Sequence, residues 1–136
     1  MFYSEIVVPI FFLLLSNLFD ILGYYYVLTR KGKEYPEKEI RSSYRIIQFL
    51  FDVLLLVLLA LQFGLIPSLA GAAMKITGAQ DLLYYYFLKM PLPEKWTWMK
   101  FTPYGFIKKI ISKKEVIIQA ILGVIVAIIL FYFVKL

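Results

Sequence analysis

Four mainly apolar stretches divide the chain, at residues 5–28, 44–63, 69–89 and 115–134. A helix rises 1.5 Å per residue, so about twenty residues cross the ~30 Å of a hydrocarbon core. The pattern predicts an all-α membrane protein: a four-transmembrane-helix bundle in which residues 1–136 form a single domain. Pro9 falls in the first turns of the first stretch, where a missing N–H donor matters little. Ser42 and Ser43 precede the second stretch as N-cap candidates. Gly64 and Pro67 interrupt the chain before the third, and Pro91 stops it. Ser112–Lys113–Lys114–Glu115 heads the fourth with a capping-box pattern. The third stretch has the weakest start. Ala70–Gly71–Ala72–Ala73 followed by Lys75 reads either as a tilted helix end or as a short re-entrant piece. The first stretch is expected to be retained as a span. No basic leader precedes residues 6–15, and no small-residue cleavage site follows them.

Polar residues interrupt these stretches in an ordered way. All three aspartates (Asp20, Asp52, Asp81) lie within them, and so do Asn17, Gln48, Gln62, Gln80 and Gln119. A charge at a bilayer centre costs about 2.5–3.5 kcal/mol on insertion scales, so these positions need a physical reason. Helical spacing gathers them onto faces. Asn17, Asp20 and Tyr24 share one side of the first stretch. Tyr44, Gln48 and Asp52 line up on the second, and Thr77, Asp81, Tyr84 and Leu88 on the third, with Gln80 adjacent. Gln119, Gly123 and Ala127 form a small-residue stripe on the fourth, of the kind that admits a close helix neighbour.

The distribution of charge adds orientation. Thirteen of the fifteen Lys and Arg residues fall in or beside the two long connections. The positive-inside rule then makes residues 29–43 and 90–114 cytoplasmic and both termini extracytoplasmic, in a multi-pass protein of the cell membrane. Lys75 is assigned to the outer side, snorkelling, with Lys135. Counted from the nearest basic residue, Asp20, Asp52, Asp81 and Gln119 lie roughly 15, 10, 12 and 8 Å deep. They share one layer in the cytoplasmic half. In the second long connection, Trp96, Trp98, Phe101, Tyr104 and Phe106 alternate with lysines. That segment is expected to lie on the membrane surface between helices 3 and 4, partly helical, either as an aromatic belt or as a lid over a site beneath it.

Composition narrows the chemistry. The chain is 62% hydrophobic and has neither cysteine nor histidine. Thiolate chemistry, iron–sulfur ligation and His-ligated haem or zinc are therefore excluded for these residues. The net charge of +6 is explained by topology and anionic lipid headgroups, so no nucleic-acid partner is expected.

These observations predict a cytoplasm-facing pocket built from Asn17, Asp20, Tyr24, Gln48, Asp52, Gln80, Asp81, Tyr84 and Gln119, beneath a basic rim of Arg45 and Lys89. Three close carboxylates need a neutralising cation, a basic side chain or a retained proton. Asp20, Asp52 and Asp81 are thus also candidates to hold a divalent cation. The expected ligand is cationic or a metal–phosphate group of lipid type. Three other readings stay open: a structural or assembly subunit of a membrane complex, a membrane enzyme acting on a lipid or isoprenoid phosphate, and an oligomeric proton or cation transporter. The expected partners are membrane lipids, further copies of the chain or other membrane subunits.

Overall fold

The computed structural model describes residues 2–25, 37–99 and 102–134. Its order is α1 (Phe2–Asp20), a π-helical turn (Ile21–Tyr25), α2 (Glu37–Phe63), α3 (Leu65–Ile76), α4 (Ala79–Phe87), β1 (Lys95–Trp96), β2 (Ile111–Ser112) and α5 (Lys113–Val134). Among the described residues three helical stretches are long and apolar enough to cross a membrane: Ile6–Tyr25, Ser42–Phe63 and Lys113–Phe133. Leu65–Ile76 is a shorter apolar helix.

Several boundaries differ from the sequence reading. Helix α1 begins at Phe2, so Pro9 lies inside it. Helix α2 begins at Glu37, so Ser42 and Ser43 are interior positions and not caps. The cap on α5 does form: the Glu115 N–H donates to Ser112 Oγ at 3.3 Å and so satisfies a donor that the helix itself leaves open.

The third stretch is a broken helix. Gly64, at φ 102°, turns the chain straight from α2 into α3. Pro67 sits in the first turn of α3, where its lack of an N–H is harmless. After Thr77, Gly78 takes φ 100°, a left-handed conformation that glycine adopts without a Cβ clash. Helix α4 then starts afresh, which divides the face expected to run unbroken from Thr77 to Leu88.

Contacts fix the relative directions. Phe12 abuts Gly71 and Asp20 meets Gln80, so α1 runs alongside α3 and α4 in the same sense. Gln48 meets Asp20 and Asp52 meets Lys75, so α2 runs opposite to them. Gly123 meets Thr77 and Gln119 stands by Gly78, so α5 also runs opposite. Helix α3 is central, packed against α1, α2 and α5, while α4 packs against α1 and α5. Val8, Phe12, Leu55 and Leu59 form the apolar core between α1 and α2. Elsewhere α2 turns Ile46, Phe49, Leu50, Leu54, Leu58 and Leu61 outward. An apolar exterior of this kind suits lipid.

The segment between α4 and α5 is not helical. Lys95 pairs with Ser112 and Trp96 with Ile111 in a short antiparallel ladder. Trp96 is fully buried and clusters with Met99, Ile111 and Val116. Its indole N–H donates to the Pro93 carbonyl at 2.7 Å, which meets the polar need of a buried tryptophan. The ring lies edge-on to Tyr85 at 5.3 Å and tilted against Trp98 at 5.0 Å. The segment is therefore a folded cap with a core of its own, which leaves Phe106 exposed. Lys100 and Phe101 lie outside the described residues.

Candidate functional site

A cavity of about 750 Å³ lies among α1, α2, α3, α4 and the cap. Helix α1 forms one wall through Asp20, with Tyr24 from the π-helical turn. The opposite wall is the start of α2, with Tyr44, Arg45, Gln48, Phe49, Asp52 and Val53. The broken helix contributes Lys75 and Ile76 before the break and Gln80, Asp81, Tyr84 and Tyr85 after it. Thr97, Trp98, Met99 and Thr102 of the cap close one end.

The three aspartates play different parts. Asp20 is a hub. Its Oδ1 accepts the Tyr44 hydroxyl at 2.6 Å and the Gln48 amide at 2.8 Å, and its Oδ2 accepts the Gln80 amide. One carboxylate thereby joins α1, α2 and α4. The Tyr44 ring reaches it because Gly23 has no side chain; a Cβ there would lie 2.8 Å from Tyr44 Cε2. Asp52 forms an ion pair, with Lys75 Nζ 2.5 Å from its Oδ1 and Ser16 Oγ at 3.5 Å from the same oxygen. Asp81 lines the cavity beside the Trp98 indole. Among the described residues it has no basic side chain in contact.

This arrangement brings together eight of the expected site residues: Asp20, Tyr24, Arg45, Gln48, Asp52, Gln80, Asp81 and Tyr84. Three others stand elsewhere. Asn17 is buried on α1 outside the cavity lining, and among the described residues its Oδ1 has no hydrogen-bond partner. Gln119 is fully buried beneath the cap, where its Oε1 accepts the Tyr104 N–H at 3.2 Å. It positions the cap and does not face the cavity. Lys89 closes the C-terminus of α4 in a left-handed conformation, φ 54°, and is exposed. There the Met90 N–H reaches the Tyr85 carbonyl and the Lys89 N–H reaches that of Tyr86, the bonding of a Schellman motif. The expected basic rim is thus Arg45 alone.

The divalent-cation site is also corrected. Among the described residues no group of three or more acidic side chains is placed to hold a metal ion. Asp20 is occupied by three donors and Asp52 by an ammonium, so the neutralising group in this layer is Lys75. The sequence reading assigned that lysine to the outer surface. A signal did exist: a single lysine among small residues deep in an apolar stretch needs an anionic partner. The cap residues Thr97, Trp98 and Met99 were missed because their contribution depends on how residues 95–112 fold back over α4.

No protein-family model matches the chain, and neither a curated protein nor a solved structure is similar to it.

Proposed function

We propose that this chain is a four-pass membrane protein whose cavity binds the ammonium group of an amphiphile, with Asp81 as the counter-charge. The broken α3–α4 unit makes the third pass. The alternating helix directions and the basic connections support both termini lying outside and the cavity lying in the cytoplasmic half of the membrane, beneath the cap.

The observation that carries this reading is the inequality of the three carboxylates. Asp20 is saturated by neutral donors and Asp52 is paired with Lys75, but among the described residues Asp81 has only the Trp98 indole beside it. Tyr84, Tyr85 and Trp98 stand around Asp81 in the cavity lining. Aromatic faces beside a carboxylate suit an organic cation, which gains cation–π attraction as well as charge. Phe12, Leu56, Ala72 and Ile76 provide apolar wall for an attached chain. The volume lies within the roughly 300–1,000 Å³ range of ligand pockets.

The test uses the full chain in lipid nanodiscs with a long-chain quaternary ammonium as probe. Wild type should bind it saturably, and Asp81→Asn should weaken binding by about tenfold or more, as loss of a desolvated charge contact requires. Equal binding by the variant overturns the reading and leaves the polar layer as helix-to-helix glue.

A further inference from the structure

We infer that the ligand carries a phosphate as well as an ammonium group, and that it is a membrane phospholipid which reaches the cavity sideways between α2 and α4. This deepens the amine-binding reading and rests on it.

The phosphate subsite is Arg45. It lines the cavity from the first part of α2 and is exposed. Among the described residues no carboxylate pairs with it, because Asp52 is held by Lys75 and the other ion pairs join Lys108 to Glu115 and Lys113 to Glu94. An unpaired guanidinium at a cavity edge presents a planar fork that matches a phosphate in two-point contact. Asp81 lies across the same cavity and within electrostatic reach of Arg45. A head group with a cation at one end and an anion at the other satisfies both residues at once. A plain amine leaves the arginine unused, and a plain phosphate leaves the aspartate unused.

The route follows from the packing. Helices α2 and α4 face each other across the cavity but share almost no direct contact. On the α2 side of that gap, Phe49 lines the cavity yet is 71% exposed, and Val53 lines it and is 39% exposed. A residue that both lines a cavity and faces outward marks an open wall. That wall lies in the apolar stretch Ser42–Phe63, so it opens onto lipid chains. The end nearer the connections is covered by the cap, which Gln119 pins through the Tyr104 N–H. Among the described residues the side toward lipid is open and the cap covers the side toward solution, which favours a bilayer lipid over a dissolved phosphoamine as the source.

Four probes separate the possibilities: a phosphoethanolamine lipid in nanodiscs, a phosphoglycerol lipid, a long-chain quaternary ammonium, and soluble phosphoethanolamine. The phosphoethanolamine lipid should bind about tenfold tighter than the quaternary ammonium, the scale of one added charge-assisted contact. Arg45→Gln should erase that advantage, so that the two probes bind alike. The phosphoglycerol lipid, which has no amine, should bind weakly. Soluble phosphoethanolamine should compete poorly with the lipid. A preference unchanged in Arg45→Gln overturns the phosphate subsite, and equal competition by the soluble compound overturns the sideways route. If the quaternary ammonium binds through Asp81 but the phospholipid has no advantage, this inference fails and the amine reading stands. If neither binds wild type, the amine reading itself has failed and this inference falls with it.

Discussion

Lys75 Nζ lies 2.5 Å from Asp52 Oδ1, tying the end of α3 to the middle of α2 within the apolar layer. The two side chains are 14% and 23% exposed, so each has lost most of its water. Such a pair is held less by its own attraction than by the penalty for separating it.

Removing one member should therefore harm the protein more than removing both. A fully buried pair loses about 3–5 kcal/mol when one partner is deleted. Partial exposure reduces this, and Lys75→Met should cost about 1–3 kcal/mol. The double variant Lys75→Met/Asp52→Leu should recover most of that loss. Thermal unfolding in detergent reads both, and a Lys75→Met protein as stable as wild type contradicts the pairing.

Asp20 and Asp81 should respond differently to the same substitution. In Asp20→Asn one acceptor becomes a donor, yet Tyr44, Gln48 and Gln80 all donate to this side chain. At least one buried donor then loses its acceptor, at about 1–3 kcal/mol. Among the described residues Asp81 has no such set of donors, only the Trp98 indole beside it, so Asp81→Asn should lose less stability while losing ligand. Matched melting curves for the two variants decide the point. Equal destabilisation means that the two carboxylates are not distinct in role.

The cap should loosen when its pin is removed. Gln119→Leu keeps bulk but removes the acceptor for the Tyr104 N–H. Amide exchange across residues 102–111 should rise while the middle of α5 stays protected, as expected when a low-stability unit opens by itself. Unchanged exchange in that segment shows that the Trp96 cluster holds the cap without Gln119.

Thr77 and Gly123 set how closely α5 approaches the helix break. A Cβ at position 123 would fall 1.8 Å from Thr77 Oγ1 and 2.8 Å from Thr77 Cβ. Gly123→Ala should therefore cost about 1–3 kcal/mol through overpacking. Thr77→Ala removes the hydroxyl, which among the described residues donates to the Ala73 and Met74 carbonyls of its own helix, but keeps Cβ. The double variant should regain part of the loss and not all of it. A Gly123→Ala protein with unchanged melting temperature means that the two helices are farther apart than this contact.

Much of this organisation is legible in the amino-acid order. Hydropathy marks the apolar stretches because a helix that faces lipid must be apolar along its length. Step lengths of three and four place Asp20, Gln48 and Asp52 on faces that do meet. The capping pattern at Ser112 marks the start of α5 because that bond spans only three residues. These are properties of one segment and its solvent, so a linear reading suffices.

What the sequence by itself determined is which segments are apolar helices and that polar groups of several segments share one layer. The tertiary structure decided which polar groups meet. It paired Lys75 with Asp52, saturated Asp20 and left Asp81 with the Trp98 indole. It placed the break at Gly78, under Met99 and beside Gln119, and it folded the aromatic connection into a cap. The physical reason is that partner choice depends on how helices distant in sequence cross and how closely they pack. A polar side chain in an apolar layer accepts whichever partner that packing brings within about 3 Å.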